Sequence, residues 1–230
     1  EETKVVDITS NSINSTFYND AVWNEDGKYG YAVDVNGSTD YLISDSSSML
    51  NISKVNFTIS LFFKADSFGA RTGQPDAENV IISIGTQHHN GAATGACGPM
   101  YYCNDNTCSF YYDNGGAWQS VAFGDLNTDN WYHMVVVRTG DNLTLYLNGT
   151  EVNTGTGATF INMPETSPQL RIGERYMRST SEHRDFANGL VDELRIWNRS
   201  LTSEEVSLVY NSNLGKYDAD KWNFYLNQTL

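Results

Sequence analysis

The sequence predicts an all-β fold: a two-sheet antiparallel β-sandwich with one short C-terminal helix. Three observations lead there. Short runs rich in β-branched and aromatic residues recur along almost the whole chain, separated by Gly, Asn, Asp and Ser. Only one stretch carries a helix-start signal. A length of 230 residues also suits one large sandwich, a class that fills 200–250 residues without splitting.

The elements follow in order. Tyr29–Val35 is strand-like, and Gly37-Ser38-Thr39-Asp40 punctuates before Tyr41-Leu42-Ile43. In Phe57–Lys64 the residues Phe57, Ile59, Leu61 and Phe63 share one face, as a period of two requires. Val80–Ile84 is a continuous apolar run suited to a buried strand. Met100–Cys103, Ser109–Tyr112 and Trp118–Phe123 follow, the last two separated by Asp113-Asn114-Gly115-Gly116. Trp131–Arg138, a Gly140-Asp141 turn and Leu143–Leu147 lead to Asn148-Gly149, a strong hairpin signal because both residues tolerate positive φ. Thr150–Val152 returns along that hairpin, and the last long strand is Gly189–Trp197. Thr202-Ser203-Glu204-Glu205 reads as a capping box, with Leu201 and Val206 placed as a hydrophobic staple. From Ser212 the pattern weakens. Residues 1–211 are therefore expected to form the sandwich, and 212–230 an exit segment or the start of a following domain in a larger, multi-domain chain.

Charge limits the partners. The net charge is −14, with 28 acidic against 14 basic residues, which argues against nucleic acid and anionic membrane. No apolar run approaches 18 residues, so no membrane insertion is expected. Eight Asn-x-Ser/Thr triplets begin at Asn14, Asn36, Asn51, Asn56, Asn142, Asn148, Asn198 and Asn227. Chance gives roughly four, so an extracellular or cell-surface location is expected. Cys97, Cys103 and Cys108 lack metal-ligand spacing. The strands on either side of Asn104-Asp105-Asn106-Thr107 point to a Cys103–Cys108 disulfide closing a four-residue loop, with Cys97 left over; Cys97–Cys103 and Cys97–Cys108 remain alternatives.

Five segments carry a resemblance: Tyr29–Gly37 with Asp40-Tyr41-Leu42, Phe57–Lys64, Asn130-Trp131-Tyr132-His133, Leu145–Gly149, and Gly189–Asn198 running on to Glu204-Glu205. In this order they are similar to the laminin G-like, concanavalin A-like jelly roll, in its pentraxin-related form common in microbial surface proteins. The resemblance implies two antiparallel sheets packed face to face with first and last strands adjacent, the strand of Asp192 lying beside the one that contains Asp34 and Asn36. The fold alone implies no ligand.

Candidate chemistry divides by residue type. Glycoside hydrolases on such sandwiches need two carboxylates flanking the scissile bond. The laminarinase-like Glu-x-Asp-x-x-Glu strand is missing here, so no catalysis is expected. His133 reads as a buried structural residue. Asp192, on the strand face of Leu194 and Ile196, reads as an inward carboxylate that needs a partner. With Asp40 and loop carbonyls it would suffice for a structural calcium ion, or else it accepts backbone N–H bonds. Sugar sites pair an aromatic face with amides and charges. Residues 85–118 and 174–186 supply both, at what should be one end of the sandwich. The stacking candidates are Tyr102, Tyr112 and Trp118; the polar ones are His89, Asp105, Arg175 and Arg178. The expected function is a non-catalytic, lectin-like module that binds a glycan or another cell-surface ligand. The alternative is a protein–protein adhesion or structural module of a surface filament or array, which should show a broad flat apolar patch and no groove.

Overall fold

A computed structural model describes residues 4–7, 9–69, 79–87, 98–115, 118–157, 163, 165–211 and 225–226. His89, Cys97 and Arg71 lie outside the described residues. In chain order the strands are β1 (Lys4–Val5), β2 (Ser15–Tyr18), β3 (Val22–Gly27), β4 (Gly30–Asn36), β5 (Tyr41–Ser44), β6 (Phe57–Ser67), β7 (Asn79–Ile84), β8 (Met100–Asn104) and β9 (Thr107–Asp113). They continue as β10 (Trp118–Asp125), β11 (Tyr132–Thr139), β12 (Asn142–Leu147), β13 (Thr150–Gly155), β14 (Leu170–Ile172), β15 (Arg175–Met177), β16 (Glu182–Arg184) and β17 (Asn188–Trp197). Helix α1 (Ser203–Asn211) and strand β18 (Tyr225–Leu226) complete the order.

Two large sheets face each other. The first runs β1-β2-β5-β14-β7-β8-β9-β10, and the second β13-β12-β11-β6-β17-β4-β3, with β18 added beside β17. The pairings within the two main paths are antiparallel, and β17 lies between β6 and β4, the strand of Asp34 and Asn36, as the resemblance implied; β4 is the fourth strand, however, and the first, β1, lies in the other sheet. β18, within the segment read as an exit, runs parallel to Arg195–Ile196. Phe57, Ile59, Leu61 and Phe63 all enter the core between the sheets, as their period of two required. The capping box also forms: Glu205 N–H donates to the Thr202 hydroxyl at 3.2 Å and Thr202 N–H to the Glu205 carboxylate at 2.9 Å. Leu201 and Val206 pack with Trp197, Val135, Val137 and Tyr146, so α1 covers part of the second sheet's outer face.

The sheets are tied by one buried phenol. Tyr101, on β8 of the first sheet, is fully buried and reaches into the second. Its hydroxyl donates to Ile59 O at 2.8 Å and accepts from Val136 N–H at 3.0 Å. Ile59 and Val136 face each other across β6 and β11, so the hydroxyl stands inside that ladder.

Cys103 and Cys108 are joined, at directly opposed positions of β8 and β9. The loop between them is shorter than expected. Asn104 pairs with Thr107, which leaves a two-residue turn in which Asp105 takes φ 49°.

Candidate functional site

Strand alternation sorts the side chains of the first sheet. Tyr101, Cys103, Cys108, Phe110, Tyr112, Val121 and Phe123 fill the core, so their neighbours Tyr102, Ser109, Tyr111, Asp113, Trp118 and Ser120 take the outer face. Trp118 is 39% exposed at the sheet edge. Its ring centroid lies 6.1 Å from that of Tyr111, which meets Tyr102 edge-on at 4.3 Å. The Tyr102 hydroxyl donates to that of Tyr111 at 3.3 Å. Together they make an aromatic step from an open Trp118 through a half-buried Tyr111 to a buried Tyr102. Trp118 pairs with Asp113, whose carboxylate accepts from Gly115 N–H at 2.7 Å.

The hairpin β15–β16 folds back over the same outer face and is fastened there. Glu174, fully buried, pairs with Arg171 at 3.0 Å and lies 3.2 Å from His183 Nδ1. Burial pushes its carboxyl up to about 8, although Arg171 pulls it down. The His183 ring stacks on Tyr41 at 4.5 Å, and Tyr41 stacks on Tyr18 at 5.0 Å. Arg175 pairs with Asp185, Arg184 with Glu182, and the Arg171 guanidinium lies over the Tyr176 ring at 5.3 Å. The Ser83 hydroxyl donates to Glu174 O at 3.0 Å.

The hairpin and the aromatic step share one transverse row. Arg178 N–H donates to Gln87 O at 2.9 Å, and the Gln87 amide donates to Gly98 O at 3.1 Å. Only glycine fits at position 98, because a Cβ there would sit 1.6 Å from Ile84 O. Continuing the Met100–Tyr111 register places Gly98 opposite Asp113, which itself faces Trp118. At ~4.8 Å per strand step, four steps from Arg178 to Trp118 span about 19 Å.

The sequence-read rim is thus assembled in part. Trp118 and Arg178 share the row. Tyr112 is 1% exposed, belongs to the core and donates its hydroxyl to Thr156 O at 3.2 Å. Tyr102 is 6% exposed and meets Tyr111 edge-on. Arg175 is buried against Asp185. Asp105 sits at the tip of the β8–β9 hairpin, the opposite end of those strands from the row. Sequence reasoning missed Tyr111, and the signal was present: the alternation of Cys108, Phe110 and Tyr112 puts Tyr111 outside.

The two aspartates assigned to calcium each have hydrogen-bond partners of their own. Asp192 does not share a face with Leu194 and Ile196. A bulge between Asp192 and Arg195, with Glu193 at φ 50°, shifts the alternation, so Val191, Leu194 and Ile196 enter the core and Asp192 faces the other way. Its carboxylate accepts from Tyr29 N–H at 2.9 Å and Glu193 N–H at 2.7 Å, strapping the β3–β4 turn. Burial pushes it up to about 7, against the backbone donor at Tyr29 and with the help of Glu193. Asp40 accepts from Asp20 N–H and the Thr39 hydroxyl, both at 3.1 Å. The two sets of partners share no residue. Among the described residues no three His, Cys, Asp or Glu side chains gather for a metal. Asp192→Ala is expected to cost about 1–3 kcal/mol by orphaning buried N–H groups. If backbone strapping is the whole role, the loss should be equal in calcium and in EDTA; a melting temperature that EDTA lowers in the parent chain but not in Asp192→Ala would support the calcium reading.

His133 is the buried structural residue that its mid-strand position suggested. It is fully buried, with Nε2 2.8 Å from the Ser60 hydroxyl and its ring stacked on Phe62 at 4.6 Å. Burial, aided by Arg195, lowers it to about 3, so it is neutral at ordinary pH.

With this geometry in hand, the relationship to known proteins is direct. Residues 36–207 match the family described as the concanavalin A-like lectin/glucanases superfamily, in its laminin G form, and the chain belongs to it. Solved structures show the same fold at low identity. Domain 4 of AbnA, a GH43 extracellular arabinanase from Geobacillus stearothermophilus solved with arabinotriose, is 17% identical with a TM-score of 0.62, covering 91% of this chain and 87% of that one. The binding domain of Paraclostridial Mosquitocidal Protein 1 is 16% identical with a TM-score of 0.66; 94% of this chain aligns, spanning 51% of that one. The heptameric SAP-like pentraxin from Limulus polyphemus is 17% identical with a TM-score of 0.57, covering 79% and 82%. Comparison by sequence with curated proteins gives no match.

Proposed function

We propose that this domain is a non-catalytic carbohydrate-binding module of an extracellular or surface protein, and that the sugar rests on Trp118. The observation that carries the reading is the aromatic step on the first sheet's outer face, where an exposed indole is backed by Tyr111 and Tyr102 and flanked by Asp113 and Ser120. A flat, propped ring stacks on the C–H face of a sugar with little loss of side-chain freedom. The carboxylate and hydroxyl beside it suit sugar hydroxyls. The arabinanase domain, solved with arabinotriose, supports this reading, as do the toxin binding domains of the same fold.

Three carboxylates of low exposure are engaged in structural roles. Asp192 straps a turn, Glu193 pairs with Arg195, and Glu174 pairs with Arg171. This favours binding over turnover. On a glycan array Trp118→Ala is expected to weaken binding about 10–30-fold, the loss typical of a central anchor. The melting temperature should not change, because Trp118 is 39% exposed. Full binding by Trp118→Ala and Tyr111→Ala together would place the site elsewhere.

A further inference from the structure

The charges along the transverse row are uneven. Seven arginines fall among the described residues. Arg171, Arg175, Arg184, Arg195 and Arg199 each pair with a carboxylate, and Arg138 donates to Gly140 O, Ile52 O and Ser53 O. Arg178 is exposed, and its guanidinium is the one without a partner among these seven.

Its backbone is not loose. Arg178 N–H donates to Gln87 O, the adjacent Met177 is buried and bridged to Gln87, and the ion pairs and ring stacks described above hold the hairpin down. An unpaired guanidinium on an anchored backbone thus stands at one end of the row, and an exposed indole at the other. Guanidinium presents a rigid fork of donors that matches carboxylate and sulfate oxygens. The three carboxylates of the segment, Glu174, Glu182 and Asp185, each face an arginine of their own, so Arg178 is the exposed guanidinium left without a carboxylate. In a chain of net charge −14, an anionic ligand gains attraction only where such a cation stands uncompensated.

We propose that the ligand is an anionic glycan, bearing uronate or sulfate groups, with Arg178 binding one acidic group while a sugar ring stacks on Trp118. The span of about 19 Å favours a chain of several sugars over a single one. This rests on the carbohydrate reading, and the test separates the two.

Titration calorimetry would compare polygalacturonate and chondroitin sulfate with carboxyl-reduced polygalacturonate and arabinan, at low salt and at 0.5 M salt. The expected result is at least tenfold tighter binding of the anionic chains at low salt. That preference should vanish in Arg178→Ala, be partly kept in Arg178→Lys and shrink at high salt, with melting temperatures unchanged. Equal binding of neutral and anionic chains, or a preference that survives Arg178→Ala, overturns the inference and leaves the Trp118 platform standing if Trp118→Ala still loses the neutral chains. Binding of none of the four overturns both.

Discussion

Tyr101→Phe is expected to destabilise the fold by about 2–4 kcal/mol, although it removes a single oxygen from a chain of 230 residues. The hydroxyl serves two buried backbone groups at once, Ile59 O and Val136 N–H. Without it both lose their partner inside a dry ladder, and each orphaned group costs about 1–3 kcal/mol. For a domain of this size each kcal/mol lowers the melting temperature by about 2–4 °C, so a fall of roughly 5–15 °C is expected. Tyr112→Phe is the control, since its hydroxyl serves one carbonyl, Thr156 O, at 3.2 Å. It should cost far less. Equal, small losses in both variants would mean that the ladder closes directly once the phenol oxygen is gone.

The second large effect is on pH. Glu174 and Asp192 are pushed by burial up to about 8 and about 7, and burial also raises Glu193. The folded state keeps protons that the unfolded chain releases above its ordinary carboxylate range. Their contribution is therefore complete below about pH 4 and is lost as pH rises through 7 and 8. His133 works on the other side. Lowered to about 3, it stays neutral while the unfolded chain takes up a proton, so its contribution is complete above about 6.5 and is lost as pH falls toward 3. The melting temperature should peak near pH 4–5 and fall toward pH 8, each proton contributing up to about 1.4 kcal/mol per pH unit. Asp192→Asn should flatten the fall between pH 5 and 7, and Asn can still accept from Tyr29 N–H. A melting temperature that climbs from pH 5 to pH 8 would show that these carboxyls are ionised in the fold.

The parts of the fold legible in the sequence are those where alternation runs long enough to be counted. Phe57–Lys64 emerged with its core face correct, and Trp131–Arg138, Leu143–Leu147 and the capping box at Thr202 emerged as read. The unread strands are short or polar. β14, β15 and β16 have three residues each, and β3, Val-Trp-Asn-Glu-Asp-Gly, has no apolar period. Such strands exist because neighbours demand them, which no local pattern records. The face of Asp192 was unreadable for a related reason. A glutamate at φ 50° inside a strand has no sequence signature, yet it reverses the alternation after it. At the candidate site the segments were legible and the individual side chains less so. Trp118 and Arg178 could be placed by loop chemistry, whereas Tyr112 for Tyr111 was an error of parity. Arg175 looked like a free cation only because its partner Asp185 lies across a hairpin not visible in the sequence.

The central position of β17 sets the order in which the molecule can be made. Synthesis delivers β4 and β6 long before Asn188–Trp197, yet these two strands meet only through that segment. Until it emerges, the second sheet exists as two halves whose inner edges are unpaired and rich in Val, Ile and Phe. Such edges are templates for pairing with other chains. The segment that closes the sheet is thus also the one that ends a hazardous interval. A nascent chain held unfolded until residue 197 has cleared the exit channel would pass through that interval without a partner to aggregate with.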